Sequence, residues 1–364
     1  MENLTMPEDF VYGSELQGRG YATHTDKIVG STMFGMALVA VLLGIFNIVI
    51  IKKVEIFHNA FGALWVLRTL GEIGSNLAHV VYSGPATYLQ PANVSPLLGI
   101  SSFSFGYTSS LVACLTHQMV SVNRCVAVCF PLRYRSVFSK RNTSFVGFYI
   151  CFVSFAVLVA YHAFPCQEIG YSPQLYEYVF VKCSEDLDRD YSVVGMLENY
   201  ICWSVCLTTV FFDGATLLKI IFIKQFRKNT SRDKNYRRDV RFFAQSAIQN
   251  VAMMAALSTI VVVNNSEATG SVISYVLAVD IFIISNITNG MVLVIFNPEV
   301  RQAFFWRIFP AKASASVSST ATSTGPLIFA TPLDNRDLKP VEEDLRTPPT
   351  LAIEWRFAGN PPIR

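Results

Sequence analysis

Apolar residues run in long blocks along this chain, with polar positions gathered between them. The blocks fall at about residues 28–51, 60–82, 97–122, 145–164, 193–223, 242–263 and 271–296. Each is close to the ~20 residues that an α-helix needs to cross the hydrocarbon core of a bilayer. They are rich in Leu, Val, Ile and Phe and lack the period-two alternation of barrel strands, which predicts helices. The fold class expected is an all-α membrane protein, a seven-transmembrane helix bundle.

Composition agrees with this pattern. With 52% apolar and 15% charged residues over 364 positions, and a mean hydropathy of +0.39, the chain is too oily for a water-soluble domain of its size. Residues 1–27 carry Glu2, Glu8, Asp9, Glu15 and Asp26 against Arg19 and Lys27 and show no signal-peptide pattern, so the first span is expected to act as its own insertion signal.

Orientation follows from where Lys and Arg collect. Lys52 and Lys53 follow the first span, Arg133, Arg135, Lys140 and Arg141 the third, and a run from Lys224 to Arg241 the fifth. The connection after the fourth is acidic, with Glu168, Glu177, Glu185, Asp186, Asp188 and Asp190. The N-terminus is therefore expected outside and the C-terminus inside. The net charge of +3 is a sorting signal, and no nucleic-acid partner is implied.

This topology divides the chain into an extracellular tail (1–27), the bundle (28–296), a surface helix (297–309) and a disordered cytoplasmic tail (310–364). It also selects among the glycosylation sequons. Asn3 and Asn93 fall outside, with Asn3 the site expected to be used, whereas Asn142 and Asn229 face the cytoplasm. Of the 8 cysteines, Cys166 and Cys183 flank the acidic outer connection, where disulfides persist. Their pairing is predicted, removing about 3 kcal/mol of unfolded-state freedom.

Polar residues inside the spans are costly and normally point into a bundle. Gly44 and Asn47 sit in the first, where a buried amide ties helices together and glycine permits close approach. Arg68, Glu72, Asn76 and His79 share one face of the second. Either an Arg68–Glu72 pair braces a hydrogen-bonded scaffold, or these residues form the polar wall of a ligand or switch cavity. Glu198 and Asn199 lie near the outer end of the fifth span and Asp213 lies deeper, a depth that favours a hydrogen-bond anchor over an agonist contact. Gln245, Gln249 and Asn250 recur in the sixth, and Asp280, Asn286 and Asn289 in the seventh, with Asp280 the better cavity residue. The candidates for a ligand cavity are thus Glu72, Asn76, His79, Glu198 and Asp280; those for packing or switching are Asn47, Asp213, Gln249, Asn289 and Gly290.

After the seventh span, Asn297 suits an N-cap, Pro298 the first helical position and Glu299 the positive end of the helix dipole. The following apolar face, Phe304, Phe305, Ile308 and Phe309, predicts an amphipathic helix on the inner membrane surface. The Ser/Thr-rich tract at 314–324, with Thr331 and Thr347 before prolines, offers phosphate acceptors or forms a solvated spacer.

Residues 117–139, HQMVSVNRCVAVCFPLRYRSVFS, end the third span in Asn123-Arg124 and a basic turn. This stretch resembles the nematode chemoreceptors of serpentine receptor class X, rhodopsin-like G-protein-coupled receptors, at Asn123, Arg124, Ala127, Val128, Phe130, Pro131, Tyr134, Phe138 and Ser139. The Cys166/Cys183 pair, Asp213 and the FNPEVR run agree with the same pattern. The resemblance covers about residues 30–309 and implies a heterotrimeric G protein as partner, an extracellular small molecule or peptide as ligand, and coupling through Asn123, Arg124, Pro131 and Tyr134. It further implies arrestin and receptor kinases acting on the tail, no cofactor, no enzymatic activity, and a plasma-membrane or sensory-cilium location.

Departures from the wider rhodopsin-like pattern are informative. Residues 97–106 hold no cysteine, so an internal loop disulfide replaces the usual one, and Gly106 stands where amine receptors carry a third-helix acid. Asn289-Gly290 replaces Asn-Pro, and Asn123 replaces the acid beside the arginine, which moves the resting-state lock elsewhere or weakens it. Two other classes compete. A transporter or channel lacks support from any internal repeat or paired interrupted helices. An intramembrane zinc hydrolase would draw on His79, His117 and His162, but neither HExxH nor GxSxG spacing occurs.

Overall fold

Helices form wherever the apolar blocks lie, and their ends follow local capping chemistry. The computed structural model of the protein describes residues 10–226, 233–265, 272–297 and 300–301. In chain order the elements are α1 (His24–Lys53), α2 (Ala60–Ala78), α3 (Gly84–Leu89), α4 (Pro96–Cys129), α5 (Pro131–Val137), α6 (Lys140–Ala163), strands β1 (Ile169–Ser172) and β2 (Glu177–Phe180), then α7 (Val193–Phe226), α8 (Asp233–Asn265) and α9 (Val272–Phe296).

Among the described residues, five helices are long and apolar enough to cross a membrane: His24–Lys53, Pro96–Cys129, Lys140–Ala163, Val193–Ile223 and Val276–Phe296. The two other expected blocks fall on α2 and α8. Arg68 and Glu72 occupy the 19 residues of α2, and α8 opens on Arg237, Arg238 and Arg241, so composition alone marks neither as a span. The second block also reaches further than its apolar pattern. A π-helical turn, His79–Ser83, joins α2 to α3, immediately before Pro85. Proline lacks an N–H and clashes with the carbonyl of residue i−4, and the wider turn absorbs that conflict without ending the helix.

α4 is the central post, packing on α2, α6 and α7. Its seam with α2 is backbone-close: a Cβ added at Gly71 would lie 2.6 Å from the Ser109 carbonyl oxygen, and one at Gly106 2.9 Å from the Ala78 Cβ. On the outside, α6 exposes Phe145, Phe148, Phe152 and Phe155 at 57–69%. So much apolar surface suits lipid rather than water.

Between α6 and α7 the chain forms an antiparallel hairpin in which Ile169 pairs with Phe180 and Ser172 with Glu177. Cys166 and Cys183 are joined across its base, with Cα atoms 5.5 Å apart. Arg189 donates to the Cys166 carbonyl at 2.7 Å and lies over the Phe180 ring. The hairpin enters the mouth of the bundle. Tyr171 is fully buried in a cluster with Met33, Ala37, Val279 and Ile283, and its hydroxyl meets that of Thr87 at 2.5 Å.

The hairpin tip is fastened by a buried carboxylate. Thr23 caps α1 in a capping box with Asp26, and Asp26 then takes Arg19 at 3.1 Å, Gln90 Nε2 at 3.0 Å and the Tyr176 hydroxyl at 2.5 Å. Burial and the bond to Asp26 push the Tyr176 hydroxyl pKa upward, keeping it a donor. Tyr176 adopts φ +62°, a left-handed conformation costly for a side chain with a Cβ, and this anchorage holds it there. Residues 10–23, expected to be a tail, therefore contribute to the mouth: Leu16 packs on Ile100 and Val181, and Arg19 donates to the Gln174 carbonyl at 3.0 Å.

Two measurements check this arrangement. Asp26→Ala removes the acceptor shared by Arg19, Gln90 and Tyr176, and the purified protein is expected to lose about 2–3 kcal/mol, less than a fully buried pair because Arg19 is partly exposed; Tyr176→Phe combined with it should be less than additive. Burial pushes Glu177 on β2 up to about 7 from an ordinary 4.5. A carboxyl group so raised adds stability that is complete below its unfolded value and lost as pH rises through 7. Relative to Glu177→Gln, the wild-type melting temperature is expected to fall between about pH 5 and 8; parallel profiles would refute this.

Candidate functional site

Many of the polar residues predicted to face inward meet in one connected set. Arg68 Nε donates to Glu72 Oε1 at 2.9 Å, one helical turn away, and its Nη1 donates to Gln249 Oε1 on α8 at 3.1 Å. Asn289 Nδ2 on α9 donates to the same Glu72 oxygen at 3.0 Å, and Asn76 Nδ2 to the Glu72 carbonyl at 2.7 Å. From α1, Asn47 Nδ2 donates to the Gly290 carbonyl at 3.1 Å. Gly290 allows this approach, since a Cβ there would lie 3.3 Å from that of Leu43.

A second branch begins beside Gln249. Asp213 on α7 accepts from Ser246 at 2.6 Å and from Asn250 at 2.8 Å. Asn250 Oδ1 lies 2.5 Å from His117 Nε2 on α4. The two branches join at adjacent residues of α8, so polar contacts link α1, α2, α4, α7, α8 and α9. Buried charges need such partners because bare ones cannot be solvated there. Both readings of the second span have physical content: Arg68–Glu72 is an internal pair, and it also forms a wall shared with α8 and α9.

Below this set, Arg124 lies with its guanidinium 5.4 Å from the centroid of the Phe61 ring, and the carboxylate acting on it is that of Asp213. Asn123 Nδ2 donates to the Tyr134 hydroxyl at 3.3 Å. Tyr134 stacks on Phe138 at 5.6 Å, which belongs to a core with Trp65, Val120 and Leu293. The basic turn is thus a short helix, α5, started by Pro131. It exposes Leu132 at 84%, with Pro131, Arg133 and Arg135 also exposed.

The proposed cavity residues have different surroundings. Glu72 and Asn76 belong to the inner set. His79 is buried between Tyr178, at 6.0 Å, and Phe282, at 6.3 Å. Asp280 is half-buried and near enough to act electrostatically on Tyr171 of the hairpin. Glu198 alone of the five lines a cleft between α4, α6 and α7. The other histidines named in the sequence have separate partners, His117 with Asn250 and His162 with Ser104 at 3.1 Å. Asn297 caps the turn leading to Val300, accepting its N–H at 3.3 Å; the rest of the surface helix, Asn3 and the C-terminal tail lie outside the described residues.

A bundle that turns aromatic residues outward and threads paired charges through its interior is a multi-pass helical membrane protein. The profile of the family described as serpentine type 7TM GPCR chemoreceptor Srx matches residues 34–297, and the chain belongs to that family, a family of receptors rather than enzymes. It is similar to serpentine receptor class X 45 of Caenorhabditis elegans, 26% identical over 137 residues, 36% of this chain and 37% of the relative. It is also similar to serpentine receptor class X-43 of Caenorhabditis elegans, 24% identical over 267 residues, 70% of this chain and 76% of the relative. The match thus spans little more than a third of the first relative and about three quarters of the second.

The inner set makes a direct prediction. Glu72→Ala leaves Arg68 buried beside a missing carboxylate and is expected to cost about 3–5 kcal/mol, read as a collapse in surface expression. Arg68→Met with Glu72→Met should recover part of it, because the uncompensated charge is gone; a double variant worse than Glu72→Ala would refute the pairing.

Proposed function

We propose that this protein is a chemosensory G-protein-coupled receptor of the plasma membrane, with seven spans, its N-terminus outside and its C-terminus inside. It converts binding of an extracellular small molecule or peptide into activation of a heterotrimeric G protein. The observation that carries this reading is the polar set in the middle of the bundle, with Arg124 on the same helix as its member His117 and followed by an exposed basic helix.

Ligand binding shifts the equilibrium between two bundle arrangements only by its differential affinity for them. Going from 1% to 99% active takes about 5.5 kcal/mol of such difference. The contacts of α8 with Asp213, His117 and Arg68 are those that must be exchanged when α8 moves. Arg124 then becomes a donor to the G protein, while Asn123 and Tyr134 hold α5 in register and Pro131, Leu132 and Arg133 form the docking surface. Glu72, Asn76, His79, Glu198 and Asp280 supply the polar side of the ligand-responsive interior. Asn3 carries glycan, residues 297–309 lie on the inner leaflet, and the Ser/Thr-rich tail is a substrate for receptor kinases and so a site for arrestin. A sensory cilium is the natural location for such a receptor.

Arg124→Ala is the test. In cells expressing a G-protein reporter and screened with volatile and peptide ligands, it should abolish the evoked signal while antibody staining of intact cells stays at the wild-type level. An undiminished signal would overturn the coupling assignment.

A further inference from the structure

The corner between α5 and α6 gathers exposed positive charge around one hydroxyl. Half-buried Tyr134 and buried Phe138 mark the inward face of α5. Ser136 is two residues from each, about 200° round a helix, and so lies on the opposite face. It is exposed, as are Arg133 and Arg135 on α5 and Lys140 and Arg141 in the first turn of α6. None of these cations forms an ion pair with a described residue, and the chain has no aspartate or glutamate from Ile73 to Gln167. Asn142 draws the two helices together, its Nδ2 donating to the Ser136 carbonyl at 3.0 Å and to the Val137 carbonyl at 3.1 Å. The neighbouring hydroxyls are engaged. Ser139 Oγ caps α6 by accepting the Asn142 N–H at 3.3 Å, and Thr143 is buried, its Oγ1 donating to the Ser139 carbonyl at 2.9 Å.

We propose that Ser136 is a phosphoacceptor for a serine/threonine kinase that selects basic sequences, and that the phosphate, by pairing with Arg133 and Arg135, withdraws cations from the α5 surface that docks the G protein. Kinases discriminate substrates by charge pattern, and here the two arginines precede the hydroxyl by three residues and by one. A helix of 7 residues is too short to hold itself together, so this segment opens readily into an active-site cleft. There Ser136 Oγ attacks the γ-phosphorus of ATP, its proton passes to the kinase's catalytic carboxylate, and ADP leaves. The product carries a charge of about −1.5 to −2 and three strong acceptor oxygens. It offsets about half of the four cations around it, and arginine grips phosphate through two parallel N–H bonds. Arg133, a residue of the docking surface, is thereby turned toward its own chain.

The effect on docking rests on the receptor function proposed above; the phosphoacceptor site does not. Full-length purified protein in detergent is incubated with ATP and the catalytic subunit of cAMP-dependent protein kinase, which selects arginine ahead of serine. Mass spectrometry of the digested protein is expected to place phosphate on Ser136, with none there in Ser136→Ala and labelling about tenfold slower in Arg133→Gln. No phosphate on Ser136, whatever other positions are labelled, overturns the site, and an undiminished rate in Arg133→Gln overturns the kinase class. In the reporter cells, Ser136→Asp should give an evoked signal severalfold below that of Ser136→Ala at equal surface staining. Equal signals from the two overturn the effect on docking. No signal from the wild type overturns that effect together with the receptor function, and the phosphoacceptor site is then judged by the labelling.

Discussion

The arginine–carboxylate pair Arg68–Glu72 constrains everything around it. Two opposite charges placed in the middle of a hydrocarbon-soluble bundle must find each other and must also satisfy their remaining donors and lone pairs. The pair alone cannot do this, so Gln249 and Asn289 are drawn in from α8 and α9. Three helices are thereby placed in register by one electrostatic requirement. Asp213 exerts a similar demand on α7 and α8, and the adjacency of Gln249 and Asn250 makes the two demands a single problem of where α8 sits. The apolar contacts fill space around this arrangement; they are less able to choose one rotation of a helix over another, since lipid is as good a neighbour for leucine as protein is.

At the other end the constraint is covalent and ionic together. The disulfide closes the base of the hairpin, and Asp26 fastens its tip to α1, α3 and the N-terminal segment. With both ends held, Tyr171 and Tyr178 are delivered into the bundle, where Tyr178 touches Phe103 and His79. The ring of Phe103 thus belongs at once to the hairpin's footing and to the wall of the cleft beside Glu198.

Much of this architecture was legible from the chain because the bilayer imposes a length and a polarity that pattern alone reveals. Pairing of Cys166 with Cys183 followed from topology, and Arg68 with Glu72 from an i, i+4 spacing. Partners across helices were not legible: nothing near Gln249 in sequence names Arg68, nor does anything near His117 name Asn250, because spacing encodes a face and not the neighbour that face meets. The hairpin was missed since its strands are four residues each and draw their stability from burial of Tyr171, not from local propensity. Asp26 counted only as a charge of the tail, although Thr23-x-x-Asp26 is a capping-box pattern. Likewise α5 was visible only as a basic turn, though Pro131 is a helix-starting residue. The five cavity candidates were chosen by polarity and depth, which cannot tell a polar atom that finds a partner from one that does not, such as Asn76 Oδ1, His79 Nδ1 and Glu198 Oε2.

The glycine seam between α2 and α4 has a mechanical meaning. Where the α4 backbone meets Gly71, and where the Ala78 methyl fits against Gly106, there are no long side chains to shear or re-rotamerise, and one helix cannot slide without colliding with the other. α2 and α4 therefore behave as a stator. The junction of α7 and α8 at Asp213 is of another kind, made of hydrogen bonds that can be exchanged one at a time, in the manner of a detent.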